Sequence, residues 1–67
     1  MNSELLQAKR LSKCIKSVQM ADYLGIRKET YSRKENGKKE FSKSEKIALA
    51  VILNLNRREF FDIFGGI

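Results

Sequence analysis

The chain of 67 residues has no histidine and no proline, a single cysteine, four glycines and few long apolar runs. Each shortage removes a class of protein. Cys14 has no partner for an internal disulfide, and without histidine or a second cysteine a conventional structural zinc site is excluded. The longest apolar stretch, Ile47 to Leu53, falls far short of the ~20 residues that a membrane-spanning helix needs. The opening Met1-Asn2-Ser3-Glu4 passes straight into polar, helix-like sequence with no signal-peptide core, so the expectation is a soluble, cytoplasmic protein with no membrane partner. A lone thiol suits a reducing compartment, and Cys14 is expected to be a small, partly buried apolar residue. No side chains stand in a nucleophile–base pattern, so neither an enzyme nor a cofactor, metal or small-molecule substrate is expected. A chain this short also buries little surface. Its stability must come from close helix packing and self-association.

What the sequence does have is positive charge. Lys and Arg number 14 against 8 Asp and Glu, a net charge of +6. Such a balance favours a polyanion, either nucleic-acid phosphate or anionic lipid. The placement of the charges discriminates between them. Basic residues gather at a turn and at helix starts instead of along one long amphipathic face, which favours nucleic acid.

The apolar spacing predicts five short helices and no strand, an all-α chain forming one domain over 1–67. The first runs from about Glu4 to Ser12 with Ser3 as its cap and Leu5, Ala8 and Leu11 as its inner face. The second runs from about Val18 to Leu24, carries Val18, Met20, Ala21 and Leu24, and stops at Gly25. The third covers about Lys28 to Asn36 and stops at Gly37. Ser42-Lys43-Ser44-Glu45 is a capping box that opens the fourth, from about Ser44 to Leu53. Asn56-Arg57-Arg58-Glu59 repeats that logic and opens the fifth, through about Phe64. Leu49, Ile52, Leu53, Leu55, Phe60, Ile63 and Phe64 are expected in the core.

The segment from Ser17 to Lys34 is the informative one. Two short helices meeting steeply at a tight turn need a small residue at the close approach, positive φ at the turn and apolar inward faces. Ala21, Gly25, and the set Met20, Leu24, Ile26 and Tyr31 meet those three needs together. The reading is a helix-turn-helix; the plainer alternative is an αα-hairpin inside a bundle.

The run Leu24-Gly25-Ile26, Thr30-Tyr31-Ser32-Arg33 and Glu35-Asn36-Gly37-Lys38 resembles the phage Cro/repressor (XRE-like) family. Phe41-Ser42, Glu45, Leu53-Asn54-Leu55, Phe60 and Ile63-Phe64 resemble its last two helices, so the likeness covers nearly the whole chain. It implies a five-helix lambda-repressor-like DNA-binding domain, with helices 2 and 3 as the helix-turn-helix, that binds double-stranded operator DNA, commonly as a homodimer on a near-palindromic site. The chain departs from the family pattern at four places. Lys16-Ser17 replaces Thr-Gln, Arg27 replaces a Ser cap, Lys34 replaces an aromatic or aliphatic residue, and Phe41 replaces Pro. At Lys34 the stem is expected to cover the core while the ammonium reaches outward.

With Tyr31 inward, helix 3 turns Lys28, Glu29, Ser32 and Arg33 outward, with Arg27 at its entrance. These five are the candidate base contacts. Lys28 and Arg33 suit guanine O6/N7, Glu29 can accept from cytosine N4, and Ser32 fits several groups. Glu29 and Arg33 are also four apart, so a simple surface ion pair is the competing reading. Lys16, Ser17 and Lys43 at helix starts, and Asn36, Lys38 and Lys39 around Gly37, are the candidate phosphate contacts, while Lys9 and Lys13 read as solvated surface. The resemblance further implies an ion pair between Arg10 and Glu35. Phe61 and Ile67 are the candidate dimer contacts, with Phe61 in the core as the alternative. The rival to DNA binding is a protein-interaction module of the same fold, antitoxin-like or antirepressor-like.

Overall fold

The computed structural model describes residues 1–65, so the dimer candidate Ile67 lies outside the described residues. Five helices follow one another: α1 Ser3–Ser12, α2 Ser17–Leu24, α3 Lys28–Glu35, α4 Lys43–Ile52 and α5 Arg57–Phe64. No strand occurs among the described residues.

Local chemistry starts each helix. At α4, Ser42 Oγ accepts from the Glu45 amide (3.2 Å) and the Ser42 amide donates to Glu45 Oε1 (2.8 Å). At α5, Asn56 and Glu59 exchange the same two bonds at 2.8 and 3.0 Å. Both capping boxes satisfy amide donors that a helix end leaves free. At α1 the cap is Asn2, not Ser3: Asn2 Oδ1 accepts from the Leu5 amide at 3.0 Å. The Asn2 amide meanwhile donates to the Ile63 carbonyl at 2.6 Å, which holds Asn2 extended against α5 and leaves Ser3 inside the first turn.

The ends of the first four helices share one construction. The residue after the last turn adopts a left-handed conformation, and the next amide reaches back five residues. The bonds are Ile15 to Arg10 (3.2 Å), Ile26 to Ala21 (3.0 Å), Lys38 to Arg33 (2.9 Å) and Leu55 to Ala50 (2.8 Å). Gly25 and Gly37 fill two of the left-handed positions at φ 69° and 79°, as their lack of a Cβ permits. Asn54 (φ 53°) and Cys14 (φ 58°) fill the others. Cys14 is therefore exposed at a helix end, not partly buried as its composition class implies.

The buried apolar side chains come from every helix and from the α3–α4 connection: Leu6, Met20, Ala21, Tyr31, Phe41, Leu49, Leu53, Ile63 and Phe64. Phe41, at a position where the resembled family carries proline, bridges Tyr31 of α3 (6.0 Å between centroids) and Phe64 of α5 (6.2 Å, edge-on). Ile52, Leu55 and Phe60 pack against this core while staying half-buried. Two expectations about the buried helix faces also fail. The inner face of α1 is Leu6 and Arg10 with Leu5 in support, while Ala8 and Leu11 are exposed. The helix is rolled by about one residue, ~100°, because Arg10 turns inward to Glu35 and carries Leu6, one turn earlier, with it. On α2, Val18 stands in solvent while Met20 and Ala21 are buried.

Candidate nucleic-acid interface

Helix α3 has a fixed back and a free front. Its back is Tyr31, Lys34 and Glu35, all buried. Glu35 receives the Arg10 guanidinium of α1 side-on, Nε to Oε2 at 3.1 Å and Nη2 to Oε1 at 3.2 Å, while Nη1 donates to the Ile15 carbonyl at 2.7 Å. One guanidinium thus joins α3 to α1 and closes the end of α1. On the next residue, the Lys34 ammonium reaches both Glu45 carboxylate oxygens of α4, at 2.6 and 2.7 Å. Lys34 is paired inside the molecule instead of reaching into water, because Glu45 is held beside it by the capping box of α4. Two neighbouring charges of opposite sign therefore tie the end of α3 to two different helices.

Burial works to raise the Glu45 carboxyl, but its hydrogen bonds to the Lys34 ammonium and the Ser42 amide outweigh it and hold the pKa below the ordinary value. The Tyr31 phenol is pushed the other way, upward, first by burial and then by the neighbouring Glu35 carboxylate. Its hydroxyl lies buried without a hydrogen bond of good geometry.

The front of α3 consists of Lys28, Glu29, Ser32 and Arg33, all exposed, with exposed Arg27 at the N-cap. The Arg27 side chain makes no cap hydrogen bond, so the first amides of α3 keep no side-chain acceptor. The ion pairs among the described residues are Lys9–Glu59, Arg10–Glu35 and Lys34–Glu45. Glu29 and Arg33 do not pair with each other, and none of the four front residues is neutralised from behind. Lys9 is engaged with Glu59 and is not free surface charge.

The candidate phosphate contacts separate into groups. Ser17 at the start of α2 and Asn36 at the end of α3 come together with Gln7, Arg10, Ser32 and Glu35 around a polar recess of about 180 Å³. Asn36 Nδ2 reaches Ser32 Oγ at 3.4 Å across its rim. Arg10 spends three of its five donors on Glu35 and Ile15, so two remain. Gln7 was missed in the sequence; it sits one turn before Arg10, and knowing that Arg10 faces α3 would have placed it there. Lys16, exposed, caps α2 through its own amide, which donates to Gln19 Oε1 at 2.8 Å. Lys38 is exposed at the position where the ends of α1, α2 and α4 carry the half-buried apolar residues Ile15, Ile26 and Leu55. Of these four helix ends, that of α3 alone carries a charge in place of an apolar contact. Lys39 stands apart from the recess, at a second cavity with Lys46, Phe41 and Phe64. Lys43 is exposed on the first turn of α4 and does not line the recess.

Among the described residues no group of acidic, histidine or cysteine side chains could hold a metal ion, and no helix is long and apolar enough to cross a membrane. No family model, curated protein or solved structure matches the chain.

Proposed function

We propose that the protein is a sequence-specific double-stranded DNA-binding regulator of transcription, of the phage Cro/repressor type. In this reading α2 and α3 form a helix-turn-helix in a lambda-repressor-like arrangement, and α3 enters the major groove. The observation that carries it is the division of α3: a back pinned by Tyr31, Lys34 and Glu35, and an exposed polar front of Lys28, Glu29, Ser32 and Arg33 whose charges belong to no ion pair among the described residues. An α-helix with its side chains is about 10–12 Å across, which suits a major groove about 12 Å wide. Arg33 and Lys28 read guanine, Glu29 accepts from cytosine N4, and Arg27 and Ser32 assist. The Ser17–Asn36 recess and Lys16, Lys38, Lys39 and Lys43 hold the backbone on either side of the groove. The regulator acts as a homodimer with Phe61, which is 64% exposed, as an anchor. It needs no cofactor and performs no catalysis.

A second reading, a protein-interaction module, is favoured by one observation: α2 turns Val18 and Tyr23 to solvent beside α3. Selection of bound duplexes from a random DNA pool separates the two. Enrichment of two inverted half-sites about one helical turn apart, ~34 Å, is the expected result. Weak, salt-sensitive binding with no enriched sequence refutes the operator reading in favour of the protein partner.

A further inference from the structure

Beyond Gly37 the α3–α4 connection brings Lys39, Glu40 and Phe41 to a cavity of about 300 Å³, completed by Lys46 of α4 and Phe64 of α5. It is more enclosed than the open grooves along α4 and α5. Ligand pockets span about 300–1,000 Å³, so this space suits a small, compact molecule. Its lining is of two kinds. Phe41 and Phe64, edge-on with centroids 6.2 Å apart, form an aromatic side together with Met1. Phe41 stands where the resembled family carries proline, so this aromatic side is the chain's own.

The polar side carries more positive charge than negative. Lys46 is half-buried, its ammonium over the Phe64 ring at 5.9 Å from the centroid. Lys39 brings a second cation. Neither belongs to an ion pair among the described residues, and Glu40, the acid at the cavity, pairs with neither of them. Charge held against an apolar wall is screened less than charge in open water, so the two ammonium groups favour an anion here. Glu40 repels a second negative charge, which disfavours a phosphate monoester carrying nearly two. We propose that the cavity binds a small monocarboxylic acid with an apolar body, its carboxylate between the Lys39 and Lys46 ammonium groups and its body against Phe41 and Phe64. The site stands whether or not α3 reads DNA. Lys39 also belongs to the phosphate set proposed above, so the acid and a DNA backbone compete for it.

Titration of the DNA-free full chain with phenylacetate at constant ionic strength, followed by backbone amide chemical shifts, tests this. Saturable shifts at Gly37, Lys39, Glu40, Phe41, Lys46 and Phe64, with a Kd of about 1 mM, are the expected result. Phenylacetamide keeps the shape without the charge and should bind about tenfold more weakly. Lys39→Gln and Lys46→Gln should each weaken phenylacetate about fivefold while keeping the helical content. Lys39 is exposed on a connection, so its variant carries the test even if Lys46→Gln fails to fold. Lys13→Gln removes the same charge from exposed surface outside the cavity and should leave the affinity unchanged. Shifts that fail to saturate by about 20 mM, or that scatter beyond the cavity, overturn the site. So does phenylacetamide binding as tightly as the acid, or a loss in Lys13→Gln that matches the cavity variants. Inorganic phosphate displacing phenylacetate from the same residues at a lower concentration overturns the carboxylic acid as the ligand.

Discussion

Removing the Arg10 side chain tests how α3 is held. In Arg10→Met the Glu35 carboxylate, 5% exposed, keeps its burial and loses both guanidinium bonds. The Ile15 carbonyl at the end of α1 loses its donor as well. Stranding one partner of a buried pair costs about 3–5 kcal/mol. The unpartnered Tyr31 hydroxyl, beside Glu35, can rotate to donate to the stranded carboxylate, which places the expected loss near the lower figure, ~3 kcal/mol. A chain of 67 residues has a total stability of about 3–10 kcal/mol, so this single change removes a third or more of it. It lowers the thermal midpoint by roughly 12–24 °C. The double variant Arg10→Met/Glu35→Leu removes the charge along with its partner. Of the groups that Arg10 bonds, the Ile15 carbonyl then stays unpaired, and the loss should be about 1–2 kcal/mol. Urea unfolding followed by far-UV circular dichroism on the wild type, both single variants and the double closes the cycle. If Arg10→Met costs under about 1 kcal/mol, or if the double variant costs the sum of the singles, the pair does not hold the helix as argued.

Four further outcomes follow from the same geometry. Lys38→Ala should weaken binding to every DNA sequence and flatten the slope of log K against log salt by about 0.9; an unchanged slope removes Lys38 from the phosphate set. Glu29→Gln should move the preference at one base pair of the selected site from cytosine toward adenine, and Arg33→Ala should relax a guanine at another with a loss of about 1–3 kcal/mol; equal weakening on all sequences would show that neither reads a base. Cys14→Gly should stabilise the fold. Relieving a left-handed non-glycine residue gains roughly 1–2 kcal/mol, and glycine's extra unfolded-state freedom offsets about 0.4–1, leaving a rise of ~0.5–1 kcal/mol in thermal or urea unfolding. Acid should destabilise the protein through Glu45, whose folded pKa lies below its unfolded value of about 4.3. The stabilisation is complete above that unfolded value and is lost as pH falls through the lower folded one; Glu45→Gln, which keeps an acceptor for the Ser42 amide, should flatten this limb of the pH–stability curve.

Features that depend on a few neighbouring residues are legible in the chain alone. The boxes Ser42–Glu45 and Asn56–Glu59 are legible because their donors and acceptors sit three residues apart, and they open α4 and α5 within a residue of where the spacing placed them. Gly25 and Gly37 mark the ends of α2 and α3 because positive φ is a local demand. The alternation of Tyr31 with Lys28, Glu29, Ser32 and Arg33 likewise divides α3 into a back and a front from periodicity alone. Tertiary structure decided the rest. Apolar spacing within α1 favours Leu5, Ala8 and Leu11; the Arg10–Glu35 pair comes only from the resemblance, and because Glu35 lies 25 residues away no spacing within α1 reveals that the pair rolls the helix. The cap at Asn2 depends on a bond to Ile63 at the far end of the chain. Lys34 looked like a stem reaching for water until Glu45, itself fixed by the cap of another helix, stood beside it. Short-range rules govern backbone ends and faces. A buried charge acquires its meaning only from what another helix brings opposite it, and no spacing within one helix encodes that.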